Sequence, residues 1–288
     1  VKEHDEDLLD LPGDWLSAED GPGRGPGGGD DVRATSETPA EGETPTEGER
    51  QTGGERPTGG ERPAEGETPT DGGTPAEQES ARGADDRAAA RDDRLPPGQK
   101  LRRGWPVLHY GPVPRFKPDT WSFQVFGATA DGEKHSWDHA AFSALPRAEV
   151  HADFHCVTRF SMLDNEWGGV LAATILELAP PAPEVTHVMV WAELGYGSNL
   201  RLSDFAAATT IFATHRNGEP LTAEHGFPVR LVVPHLYAWK GPKWVRGVEY
   251  LTADRRGFWE ERGYHNIGDP WREQRYSYQE GEGEGPAL

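Results

Sequence analysis

A chain of 288 residues with a formal net charge of -20 has room for one or two domains and lacks the basic footprint that nucleic acid or an anionic membrane surface demands. The charge is uneven: residues 1–100 hold 26 acidic and 11 basic side chains, and residues 101–288 hold 23 and 18. The single cysteine, Cys156, cannot close an internal disulfide, so neither a staple framework nor an oxidising compartment is implied.

The start, VKEHDEDLLDLPGDW, has no basic region followed by an apolar core, and no run of about 18 apolar residues follows anywhere. A secretory signal and a membrane span are therefore not expected, and the location implied is cytoplasmic. From Thr35 to Glu79 the chain repeats a short theme, TPAEGE, TPTEGE, TGGERP, TGGERP. Such units offer almost nothing to bury and cannot offset their ordering entropy, so residues 1–98 read as a disordered, low-complexity acidic tail. Its only plausible docking motif is the cluster Leu8, Leu9, Leu11 and Trp15. Every Phe and Tyr lies beyond residue 100, and one folded domain is expected over 101–280.

Within that domain WSFQVFG (121–127) alternates large apolar and polar residues and predicts a strand. A helix is expected over Gly168–Ala179, ending before Pro180. HVMVWAE (187–193) predicts a second strand, SDFAAATTIF a helix capped by Ser203, and VRLVVP (229–234) and KWVRGVEYL (243–251) two further strands. Strands and short helices alternate irregularly among Gly and Pro loops, which points to an α+β fold with a mixed sheet and short helices. No GxGxxG or GxxxxGK[ST] sequence occurs, removing the usual dinucleotide and P-loop readings.

DFHCVTRFSMLDNEW places Cys156 beside His155, with Arg159 three residues on. A thiolate near cations is a nucleophile or a soft-metal ligand; a buried small hydrophobe is the alternative. Zinc would need further ligands at short spacing, and neither CxxC nor HExxH is present. A second constellation, from Gly218 to Leu251, gathers His225, Arg230, His235, Lys240, Lys243 and Arg246 around two predicted strands. Converging cations of this kind suit a phosphate-bearing ligand, or else balance nearby acids on a surface.

Five blocks, WPVLHYGPVP, HCVTRFS, GYGSNL with LSDF, HGFPVRLVVPHLYAWKGPKW and GFWEERGYH leading into GDPWREQRYS, resemble the sulfite-oxidase-type molybdopterin-binding family, in particular its short single-domain bacterial members. The resemblance runs from about Trp105 to Ser277. It implies a sulfite-oxidase-type fold holding one molybdenum-molybdopterin cofactor per chain. Cys156 falls on the metal-ligand position, and His109, His225, Arg230, Gly241, Pro242 and Lys243 fall on positions that contact the cofactor. Arg159 is the candidate anion contact beside Cys156 in catalysis. Phe160 stands where Trp is frequent, and His225 where some relatives have Asn. The implied activity is transfer of an oxygen atom to or from a small substrate, acting on a sulfur group, with electrons exchanged with a separate protein partner. A non-catalytic relic that binds the cofactor and a cysteine hydrolase using Cys156 are the competing readings.

Overall fold

The computed structural model describes residues 93–286. In chain order the strands are β1 (Lys100–Leu101), β2 (Ser122–Gly127), β3 (His135–Asp138), β4 (Ala148–Cys156), β5 (Phe160–Leu171), β6 (His187–Ala192), β7 (Gly197–Arg201), β8 (Ile211–Arg216), β9 (Glu219–Pro220), β10 (Arg230–Val232) and β11 (Val245–Leu251). Among the described residues three short α-helices accompany them: α1 (His139–Ser143), α2 (Ala172–Leu178) and α3 (Leu202–Phe205).

Two sheets form. The first follows the order β1-β5-β8-β10, with β4 added on β5 and β9 on β8; the second runs β3-β2-β11-β6-β7. The β1–β5 and β2–β11 pairs are parallel and the others antiparallel. This is the mixed α+β architecture that the sequence implies. The main core gathers Phe123 and Val125 of β2, Val188 and Val190 of β6, and Phe212 and Leu231 of the first sheet. On the alternate residues of the first sheet, Ile211, Ala213 and Val232 join a second cluster with Phe154, Trp167 and Cys156. Period-two alternation thus buries both faces of the first sheet, and Cys156 sits on the face turned away from the main core.

Two helix expectations are corrected. The segment 168–179 is helical only from Ala172, because β5 continues to Leu171. Gly169 is there for close strand approach: a Cβ on it would stand 2.1 Å from the Phe212 carbonyl oxygen of β8. The segment after Ser203 is helical only to Phe205, and its capping residue is Arg201. Ile211 onward pairs with β5 and β10 instead, so sheet pairing overrides the apparent helical pattern.

The tail read over residues 1–98, with its Leu8–Trp15 cluster, lies outside the described residues up to 92. Ahead of Leu101, Arg94 is already bound to the domain, donating to Asp153 and Asp164. Those two acids mark a bulge where the β4–β5 register shifts between Ala152 and Phe154. No helix among the described residues is long and apolar enough to cross a membrane.

Candidate functional site

Cys156 ends β4, and β5 begins at Phe160, so three residues close the hairpin. The Arg159 amide donates to the Cys156 carbonyl at 3.0 Å, and Arg159 has φ +68°. A three-residue hairpin loop commonly ends on such a left-handed residue. This turn aims Cys156, 8% exposed, into a cavity of about 440 Å³. Its Sγ lies 3.2 Å from Thr158 Oγ1.

The walls are largely aromatic, including Trp105, Tyr196, Trp239, Trp244, Phe258 and Trp259. Of the residues singled out from sequence, Cys156, His109, Arg230, Gly241, Pro242 and Lys243 all line this cavity. His225 stands just behind it, stacked on Trp105 with ring centroids 4.0 Å apart. Arg159 does not line the cavity; its side chain is exposed, and its Nη1 lies near Gly98.

The Gly218–Leu251 constellation divides. Lys240 is fully buried away from the cavity and donates to Glu260 Oε1 at 2.6 Å, with Asn199 and the Asn266 carbonyl as further acceptors. His235 lies 3.1 Å from Asp204, and Arg246 donates to Glu193 at 2.8 Å. Only Arg230 and Lys243 bring their charge to the cavity wall. Gly226 lets them close on each other: a Cβ there would meet Arg230 Cβ at 2.8 Å and Lys243 Cβ at 3.3 Å.

Arg230 opens β10 and is 2% exposed. Its guanidinium sits 5.2 Å from the Trp105 ring and 5.4 Å from the Phe154 ring. It donates to the carbonyls of His225 at 3.3 Å and Gly241 at 3.4 Å, while Nε has no partner. Among the described residues no carboxylate pairs with it. Burial pushes its pKa down to about 10. A buried cation without an anion is costly, so a negatively charged ligand would be stabilising at this position.

Lys243 donates to the carbonyls of Leu108 at 2.8 Å and Glu224 at 2.6 Å. Burial first, and the neighbouring Arg230 second, push it down to about 7. The consequence for stability has a definite sign. An unfolded lysine holds its proton to about 10.5, while this folded one releases it near 7. Between those values the unfolded state binds more protons, so stability rises with pH. Without cofactor, the chain is therefore expected to melt at increasing temperature as pH is raised from 7 towards 10, and Lys243→Met should flatten that rise. An unchanged slope in the variant would show that Lys243 is not the group responsible.

His109 is exposed, places Nδ1 3.0 Å from the Gly111 carbonyl, and meets the Trp244 ring edge-on at 5.5 Å. Gly241 and Pro242 act through backbone: their carbonyls accept from Arg230 and from the Leu231 amide. A Cβ on Gly241 would stand 2.4 Å from the Leu231 carbonyl oxygen, which excludes larger residues. The aromatic wall escapes sequence reasoning, because aromatic residues in apolar runs read as core. Its signal lies in the GYGSNL and GFWEERGYH blocks, which deliver Tyr196, Phe258, Trp259 and Tyr264 to the cavity. Among the described residues no group of three or more His, Cys, Asp or Glu could hold a metal ion. Among the described residues Cys156 thus has no His, Cys, Asp or Glu cluster beside it to complete a metal site.

Comparison with known proteins shows the family. Residues 110–259 match the family described as oxidoreductase molybdopterin binding domain. The chain belongs to that family. Relatives of this molybdopterin-binding chain include the oxidoreductase YuiH of Bacillus subtilis, 45% identical over 193 residues, covering 67% of this chain and 96% of YuiH. The mitochondrial sulfite oxidase of Rattus norvegicus is 26% identical over 181 residues, and the match covers 53% of this chain and 33% of that protein. The protein-methionine-sulfoxide reductase catalytic subunit MsrP of Gluconobacter oxydans is 26% identical over 177 residues, covering 54% and 56%. The chain thus spans nearly all of YuiH but about a third of sulfite oxidase.

The residues present fit the group the family binds. Molybdopterin brings sulfur ligands for the metal and a terminal phosphate. Cys156 would offer one further soft ligand, and the guanidinium of Arg230, whose Nε has no hydrogen-bond partner, would offer a counter-charge.

Proposed function

We propose that this chain is an oxygen-atom-transferring molybdenum oxidoreductase that binds one molybdenum-molybdopterin per chain, with Cys156 as the protein's ligand to the metal. The observation that carries the reading is the buried, anion-free Arg230 lining the same cavity as the only cysteine. When bound, the cofactor supplies a molybdenum centre that exchanges an oxygen atom and two electrons with the substrate.

The chain's own residues do the rest. Arg230 and Lys243 hold the cofactor phosphate. Lys243 gains affinity for it by regaining the proton that burial drives off. His109, Gly241 and Pro242 border the pterin, and His225 acts through Trp105, fixing the ring against which Arg230 rests. Arg159 contributes through the shape of the turn that presents Cys156. With both wall cations committed to the phosphate and Glu193 paired with Arg246, the remaining wall is aromatic. It suits a small organic S-oxide better than a free sulfite anion. Reducing such an oxide consumes two electrons and two protons and releases water, and a separate electron-transfer protein is the source.

The test is to produce the full chain in a host that makes the cofactor, then measure molybdenum per chain and dye-coupled turnover of sulfoxides and sulfite. About one molybdenum per chain with sulfoxide turnover is expected. Molybdenum without turnover of any S-oxide would support a relic, and a metal-free, active protein would point to hydrolysis at Cys156.

A further inference from the structure

The turn that presents Cys156 is strained, and the chain holds it from outside the 110–259 family match. A non-glycine residue in the left-handed region costs roughly 1 to 2 kcal/mol, and Arg159 has φ +68°. Three external donors grip the carbonyls of this turn. Gln99 Nε2 donates to the Cys156 carbonyl at 3.1 Å. Arg275 Nη1 donates to the Val157 carbonyl at 2.7 Å. The Lys100 amide donates to the Arg159 carbonyl at 3.0 Å, where β1 lies parallel to β5.

Two of these donors are themselves fixed. Arg275 is 3% exposed, and its guanidinium lies 4.8 Å from the ring centroid of the fully buried Tyr237. Gln99 Oε1 accepts from Ser161 Oγ at 3.4 Å, and that hydroxyl lies 2.8 Å from His155 Nδ1. A charged donor sandwiched against an aromatic ring and an amide locked by a hydroxyl leave the turn little freedom.

We propose that Gln99 and Arg275 are positioning residues for the cysteine ligand: they clamp the Cys156 turn so that Sγ stays directed into the cavity. The proposal rests on Cys156 being the metal ligand. Its sign is clear, because losing one hydrogen bond from a charged donor shifts the closed–open balance of the turn by about tenfold.

Cys156 is the only cysteine, so any thiol label reports on it alone. The full chain, made without cofactor, is treated with iodoacetamide and the labelling rate measured for Arg275→Met, Arg275→Lys and Gln99→Leu. Arg256→Met serves as control, because it breaks the pairing with Glu280 in the same C-terminal segment without touching the turn. Arg275→Met is expected to label about tenfold faster and Gln99→Leu, which loses a neutral donor, about fivefold faster, Arg275→Lys to recover most of the wild-type rate, and the control to stay unchanged. In cofactor-loaded protein, Arg275→Met should shift the molybdenum(V) electron paramagnetic resonance signal, which responds to how the thiolate is held. Wild-type labelling rates in both variants, equal acceleration in the control, or an unshifted resonance in loaded Arg275→Met would each overturn the clamp. A wild-type chain that takes up no molybdenum would instead remove the ligand assignment, which the labelling rates do not depend on.

Discussion

Cys156→Ser is expected to abolish turnover while leaving the melting temperature within a few degrees of wild type. The substitution removes one soft ligand atom and puts a harder, far less acidic hydroxyl in its place. Changing groups that merely orient a metal ligand costs up to about a hundredfold in affinity or activity, so losing the ligand itself should cost at least that. The fold has little reason to respond. Sγ contacts Thr158 Oγ1 at 3.2 Å, a contact that serine can keep, and the turn is set by backbone hydrogen bonds. Molybdenum content should fall less than turnover, since Arg230 and Lys243 still hold the phosphate. A serine variant that turns over at the wild-type rate would remove Cys156 from the metal.

Arg230→Met separates stability from loading, because its two effects have opposite signs. In the cofactor-free chain the guanidinium is a buried charge with no anion, held down to about 10 by burial. Replacing buried ion pairs with well-packed apolar side chains is neutral to stabilising, by up to about 4 kcal/mol, and a buried charge with no anion has less attraction to lose. For a domain of this size that raises the melting temperature by several degrees, at about 2 to 4 °C per kcal/mol. In the loaded protein the same change takes the buried cation from the phosphate and leaves it Lys243 alone, costing about 3 to 5 kcal/mol, or at least a hundredfold in affinity. The variant should therefore purify with little molybdenum yet melt higher without it, and any loaded fraction should turn over at a near-normal rate per metal. Full loading with lost turnover would move Arg230 from the phosphate to the substrate.

Much of the architecture was legible in the sequence where burial enforces a period. WSFQVFG and HVMVWAE became β2 and β6 because their alternate residues enter the main core. The helices failed where glycine and β-branched residues served strand contact instead, at Gly169 against β8 and at Ile211 against β5. At the site, Cys156, Arg230 and Lys243 were legible as residue types with chemistry to do. That Lys240 would turn inward to Glu260, and Arg159 outward, was not, because neither backbone direction nor the partner twenty residues away is written in local pattern.

The Lys240–Glu260 pair also bears on modularity. The residues that match the family end at 259, and the carboxylate that neutralises the fully buried Lys240 is the next residue in the chain. A segment cut to the family boundary and transplanted elsewhere would take from that buried ammonium its carboxylate and the Asn266 carbonyl, at about 3 to 5 kcal/mol. Whole domains hold only about 5 to 15 kcal/mol in reserve. The unit that can be inherited, swapped or grafted intact is therefore longer than residues 110–259, and its seam lies beyond Glu260.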